Sequence, residues 1–170
     1  MMAFTGRCQR LTISEQLEKG VRCFDIRIRF DGDRLVVAHN RIEYVCSRYW
    51  LWLILDAINA RGGCCVRMLH EVRTARQREK SSTELFAELC SLYERKFRAV
   101  RFFGGRNLMD WGTDYRFAGD EPTVEDAYGS RRKPRSLYAL WPWLYAKLYN
   151  GRERQAVTDR DVKLMDFVEI

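Results

Sequence analysis

No stretch of this chain is apolar for long enough to cross a bilayer. The longest apolar run, YWLWLIL at 49–55, is far short of the roughly 20 residues that a helical span requires. The opening residues, MMAFTGRCQR, show no apolar centre of a secretory leader. The expected location is therefore the cytoplasm or a membrane surface. Six cysteines, Cys8, Cys23, Cys46, Cys64, Cys65 and Cys90, form no Cys-x-x-Cys pair, so zinc-site spacing is missing. They read as small apolar side chains in a reducing compartment. Internal repeats, low-complexity tracts and interdomain linkers are also missing, which leaves one domain over residues 1–170. Histidine is confined to two positions, His39 and His70.

What is present is a globular composition. The 170 residues are 46% hydrophobic and 13% aromatic, enough for one real core. Lys and Arg outnumber Asp and Glu by 30 to 23, a formal charge of +7. A basic surface favours anionic partners such as anionic lipid or phosphorylated small molecules. Nucleic acid ranks last among them, because no recognisable binding motif or basic helix is present.

TISEQLEKG at 12–20 reads as a short helix, opened by a Thr12–Glu15 capping box and stopped at Gly20. VRCFDIRIRF alternates as a strand, with Phe24, Ile26 and Ile28 on one face and Cys23, Asp25, Arg27 and Arg29 on the other. The turn signal DGD at 31–33 precedes a second strand ending at His39. Helices are expected over 47–60, over 81–97 with a capping box Ser81–Glu84, and over 142–149. Strands are expected at 64–72, at 98–105 and in the last residues, VKLMDFVEI, with possible short strands near DYRF and TVEDAY. This alternation predicts βα units around a parallel sheet, open or closed.

A strand covered on both faces is normally apolar throughout, so Asp25 and Arg27 require an explanation. A guanidinium late in a strand suits phosphate, because its planar fork binds two oxygens. Asp25, two residues earlier, is placed to hold it. His39 ends the next strand and can give or take a proton near neutral pH. These residues point to phosphodiester chemistry, or else to a buried ion pair beside a packed histidine.

RCQRLTISEQLEKGVRCFDIRIRFDGDRLVVAHN resembles the core of the X domain of phosphatidylinositol-specific phospholipase C in its bacterial form. The shared features are Gln9, the helix Thr12–Leu17, the strand Gly20–Arg27 and a following strand closing on Ala38-His39-Asn40. Looser likeness continues through VRMLHEVR, RFFGGRNLMDWGTDYRF, TVEDAYG and VKLMDFVE. The resemblance implies an α/β fold of the TIM-barrel-like (β/α) type, incomplete here, with its first strand missing. It implies a metal-independent phosphodiesterase that releases diacylglycerol and inositol cyclic phosphate. Arg27 is then the phosphate arginine, His39 the general acid, and Asp25 the strand neighbour of Arg27. Asp126 and Tyr128 match inositol contacts, and His70 or Arg73 stands near a basic substrate contact. Asp166 is placed to present a carboxylate to the family's first histidine. No cofactor is implied. Eukaryotic relatives hold calcium with Glu-x-Asp on this strand, where Asp-x-Arg here supplies the positive charge itself.

The family's first histidine, the general base, and its aspartate precede the position of Gln9. MMAFTGRC contains neither. Either the gene product starts upstream, or the chain lacks that base and is an impaired enzyme, or it uses another base. The alternative is an inactive phospholipase-like module that binds a phosphorylated or lipid ligand. A barrel without its first strand leaves edges that invite a second copy. The aromatic runs at 49–55 and 137–149 lie beside basic residues, a pattern that fits either sheet-covering helices or peripheral contact with a bilayer.

Overall fold

The computed structural model describes residues 10–39, 42–44, 47–109, 111–126, 144, 146–149 and 161–164. The chain divides into two compact units, Arg22–Glu121, and Met1–Val21 together with Pro122–Ile170. Helix α1 (Ile13–Glu18) belongs to the second unit. Its capping box is formed as expected. The Thr12 N–H donates to Glu15 Oε2 at 2.7 Å, and the Glu15 N–H donates to Thr12 Oγ1 at 3.3 Å. Two of the orphan donors at the helix start are thereby satisfied.

The unit Arg22–Glu121 is built on β1 (Cys23–Asp31), β2 (Arg34–His39), β3 (Ile42–Tyr44), β4 (Cys64–His70) and β5 (Val100–Asn107). They form one mixed sheet in the order β3-β2-β1-β4-β5. β1, β4 and β5 are parallel, with Asp25 opposite Arg67 and Arg67 opposite Phe103. β2 and β3 run antiparallel, with Ile28 opposite Val37 and His39 opposite Ile42.

This is a correction to the incomplete (β/α) barrel. The described strands make an open five-stranded sheet that does not close on itself. The cause lies in the turn after β1. Asp31 pairs with Arg34 across only Gly32 and Asp33, with Gly32 at φ 61°. A two-residue turn of this kind sends the chain back beside itself as a hairpin. A parallel barrel needs a crossover of a dozen residues or more at that point.

Helices α2 (Arg48–Arg61), α3 (Ala75–Lys80) and α4 (Thr83–Lys96) follow β3 and β4. Ser47 caps α2, and Gly62, at φ 68°, ends it. Trp52 of α2 meets Tyr93 of α4 and Phe97, the residue that caps its end, edge-on, at 6.1 and 4.8 Å between ring centroids. The two helices therefore form one layer. Phe86 of α4 stacks on His70 of β4 at 4.6 Å, which fixes the sheet face that this layer covers. Phe24, Ile28, Val66 and Met68 share that face by register and are buried. Burial of such side chains, each contributing about 1.5–3 kcal/mol, holds the unit together. The opposite face carries Cys23, Asp25, Arg27, Cys65, Arg67 and Arg101.

The expected strand near DYRF is not formed. The segment after β5 makes a single bridge, Arg106–Thr113, and turns back on Gly105, whose carbonyl accepts the Asp114 and Tyr115 N–H groups at 2.8 and 3.0 Å. Gly105 has φ 72°, and a Cβ there would lie 1.8 Å from the Tyr115 carbonyl oxygen. Only glycine permits that approach, and the approach is what places Asp114. In the second unit, β6 (Thr123–Asp126) and β7 (Asp161–Leu164) pair in parallel as a two-stranded sheet. Residues 144 and 146–149 are helical. Among the described residues no helix is long and apolar enough to cross a membrane.

Candidate functional site

Alternation along β1 sets Asp25 and Arg27 on the face away from the helices. Their side chains meet there, with Arg27 Nε donating to Asp25 Oδ2 at 2.7 Å. Both are mostly buried, with side chains 16% and 20% exposed, so the pair is screened far less than a surface bridge. Arg67, opposite Asp25 on β4, brings a second guanidinium to the same carboxylate at 3.8 Å. Asp25 Oδ1 and Arg67 Nε are buried without a hydrogen-bond partner among the described residues. Beyond the end of β4, Arg73 pairs through Nε with Glu71, whose side chain is fully buried.

His39 is half-buried at the end of β2. Burial pushes its imidazole below the ordinary 6.5, and the Arg27 guanidinium pushes in the same direction. Glu71 opposes, Arg73 adds to the lowering, and Asp25 opposes. The ring is therefore neutral near pH 7 and sits in the field of the Asp25–Arg27–Glu71–Arg73 cluster. The ladder between β1 and β2 stops at Ile28–Val37. Continued, that register sets Ala38 opposite Arg27 and His39 opposite Ile26, so alternation puts His39 on the helix side of the sheet and Arg27 on the other. Arg27 and His39 are thus electrostatic neighbours rather than a cross-strand pair. The structure brings together Asp25, Arg27 and Arg67, and separately pairs Glu71 with Arg73; His39 feels the charges of Asp25, Arg27, Glu71 and Arg73 without a contact to any of them.

His70 is placed elsewhere. It lies on the helix side of β4, fully buried. Its Nδ1 is 2.8 Å from Asp114 Oδ2 and its Nε2 is 2.7 Å from Ser81 Oγ. A carboxylate only accepts, so Nδ1 carries the proton and Nε2 accepts from the Ser81 hydroxyl. Ser81 Oγ in turn accepts the Phe30 N–H at 3.1 Å. Burial lowers the His70 pKa, with the hydrogen bond to Asp114 opposing. Ser81, His70 and Asp114 have the order of a hydrolytic triad. However, the serine is 5% exposed and the histidine 0%, and the hydroxyl is engaged as both donor and acceptor. The network pins the sheet to the end of α3 and leaves no nucleophile for a substrate.

Asp126 ends β6, in the other unit. Tyr128 and Asp166 lie outside the described residues. Sequence reasoning missed Arg67, Glu71 and Asp114. Arg67 carried a readable signal: a charge inside the apolar strand 64–70, in the same relation to its neighbours as Arg27. Asp114 carried none, because its partner is 44 residues away. Among the described residues no group of three His, Cys, Asp or Glu side chains is placed to hold a metal ion. Comparison with protein families, curated proteins and solved structures found no match.

Proposed function

We propose that this chain binds phosphodiesters of the phosphatidylinositol type and cleaves them without a metal. The observation that carries this reading is the Asp25–Arg27 pair joined by Arg67 on one screened sheet face, within the field that acts on His39. Arg27 and Arg67 against the single carboxylate of Asp25 leave one positive charge at that contact, the sign that a phosphodiester monoanion needs. The buried Arg67 N–H is a donor that such an oxygen would satisfy.

Charge coupling then links binding to proton transfer. Burial, with the Arg27 guanidinium adding to it, holds the His39 pKa below its ordinary value. A bound monoanion offsets the guanidinium's field, so the imidazole takes up a proton as the ligand arrives. The protonated ring is a general acid for the departing alkoxide, while Arg27 stabilises charge on the phosphoryl oxygens. The attacking group is the substrate's own neighbouring hydroxyl: its oxygen bonds to phosphorus as the phosphorus–alkoxide bond breaks, its proton passes to solvent water, and the product is a cyclic phosphate. A second reading, ligand binding without turnover, is favoured by the burial of His70. That leaves His39 as the one histidine in the field of the arginine cluster.

Release of inositol cyclic phosphate from phosphatidylinositol vesicles, with and without chelator, tests both readings. The expected result is turnover insensitive to chelator and reduced by about 10²–10⁴-fold in His39→Ala, with phosphatidylinositol binding weakened about tenfold in Arg27→Ala. Turnover unchanged by both substitutions would sink the proposal. Binding that depends on Arg27 with no turnover in any variant selects the second reading.

A further inference from the structure

Below the row of Asp25 and Arg67, the same sheet face carries a row with different chemistry. Cys23 on β1 stands directly opposite Cys65 on β4, and Cys65 stands directly opposite Arg101 on β5. Neighbouring strands lie about 4.8 Å apart, inside the range of Cα separations that a disulfide spans. Both thiols are half-buried, whereas Cys64 and Cys90 are buried. Cys64 points its S–H at the Gly62 carbonyl, 3.4 Å away.

We propose that Cys23 and Cys65 are a reversible thiol–disulfide pair, with Cys65 the sulfur that reacts with hydroperoxides and Cys23 the one that resolves it. The assignment of roles follows from the neighbours. Cys65 accepts a hydrogen bond from the Cys23 thiol, and the Arg101 guanidinium also lowers its pKa, by charge and by hydrogen bonding, against the cost of burial. Its pKa falls from 9.0 to about 7. Cys23 moves upward, through that same hydrogen bond, through burial and through the charges of Cys65 and Asp25, with Arg101 opposing. The Arg101 guanidinium opposite Cys65 thus favours negative charge on that sulfur, while burial and the Asp25 charge favour the proton on Cys23.

The chemistry balances with a hydroperoxide as the oxidant. The Cys65 thiolate attacks the terminal peroxide oxygen, and the O–O bond breaks. Cys65 becomes a sulfenic acid, and hydroxide or alkoxide leaves. The Cys23 sulfur then attacks the Cys65 sulfur. The S–S bond forms, the S–O bond breaks, and the proton of Cys23 leaves with the hydroxyl as water. A dithiol returns both sulfurs to the reduced state by exchange. This pair does not depend on the phosphodiester reading, since neither thiol is assigned to that chemistry.

At pH 7 a thiol of pKa 9.0 is roughly 1% ionised, and one near 7 is roughly half ionised. Lower intrinsic nucleophilicity offsets part of that gain, so roughly five- to tenfold faster alkylation remains. The test uses the full chain, reduced, exposed to hydrogen peroxide, blocked with an alkylating reagent, digested and weighed. The expected product is one linked peptide pair, Cys23 to Cys65, 2 Da below the sum of the thiols (two hydrogens lost) and reversed by dithiothreitol. Cys23→Ser is expected to accumulate a dimedone adduct on Cys65 and no link. Arg101→Gln is expected to slow Cys65 alkylation several-fold at pH 7, with Arg101→Lys restoring most of it. Links made only through Cys64 or Cys90, or Cys65 alkylation in the wild type no faster than that of Cys64, overturn the proposal even if a variant fails to fold.

Discussion

His70 shows how one side chain ties acidity to stability. Its ring is sealed between Phe86, Asp114 and Ser81, and burial holds its pKa below the ordinary 6.5, with Asp114 opposing and Arg78 adding to the lowering. In the unfolded chain the same ring titrates near its ordinary value. Below about pH 6.5 the unfolded state therefore binds a proton that the folded state resists. Stability is intact above that pH and falls as acid carries the solution down toward the folded pKa, by at most about 1.4 kcal/mol per pH unit per group. His39, lowered by burial and Arg27, acts with the same sign. Urea midpoints at pH 7.5 and 5.5 check this. The wild type is expected to lose stability on acidification, and His70→Gln is expected to lose less across the same interval. A midpoint that rises on acidification contradicts the neutral, buried ring.

At the scale of elements, the start of α4 decides between two adjacent serines. The sequence reading makes Ser81 the cap, paired with Glu84. In the structure Ser82 caps, accepting the Leu85 N–H at 3.2 Å, while Ser81 ends α3 and turns inward to His70 and the Phe30 N–H. The two losses differ in kind. Ser82→Ala removes an N-cap, about 1 kcal/mol. Ser81→Ala strands a buried imidazole nitrogen and a buried backbone N–H, each at about 1–3 kcal/mol. Chemical denaturation is expected to show Ser81→Ala as the more destabilising of the two, and equal losses would return the cap to Ser81. The same pair of serines marks what the sequence could show. Caps, turns and alternation act within a few residues, so the Thr12–Glu15 box, β1 with its two faces, α2 and the Gly62 stop were legible. So was the DGD turn, whose shortness already specified a hairpin. The likeness to a barrel family drew the expectation toward closure, which that local geometry does not permit. The Ser81–His70–Asp114 network depends on Gly105 bringing a distant loop to β4 and had no local signature. In the site, Asp25, Arg27 and His39 were legible as charged or titratable groups in apolar strands, while the supporting Glu71 looked like an ordinary charge at a strand end.

For the whole molecule the governing quantity is the charge of +7, combined with where apolar surface remains exposed. Helix α2 buries Leu51, Leu55 and Ile58, yet leaves Tyr49 and Trp50 65% and 58% exposed beside Arg48. Aromatic rings beside basic side chains settle at the head-group level of a bilayer, and positive charge draws the chain to anionic lipid. Under the proposed function, membrane affinity has two separable contributions. The general one comes from net charge and weakens as salt shortens the screening length from about 10 Å at 0.1 M to about 3 Å at 1 M. The specific one, in the same proposal, is assigned to the Asp25–Arg27–Arg67 site and is expected to be screened less, because these side chains are mostly buried. Sedimentation with vesicles of phosphatidylserine or of phosphatidylinositol, at equal surface charge, resolves them. Trp50→Ala is expected to weaken binding to both. Arg27→Ala is expected to remove the preference for phosphatidylinositol, about tenfold for a lost charge-assisted contact, and to leave phosphatidylserine binding within twofold. The preference is expected to persist at high salt, where the general attraction has collapsed. Equal affinity of the wild type for the two lipids at every salt concentration would reduce the membrane contact to charge alone and leave the arginine cluster without an inositol-lipid ligand.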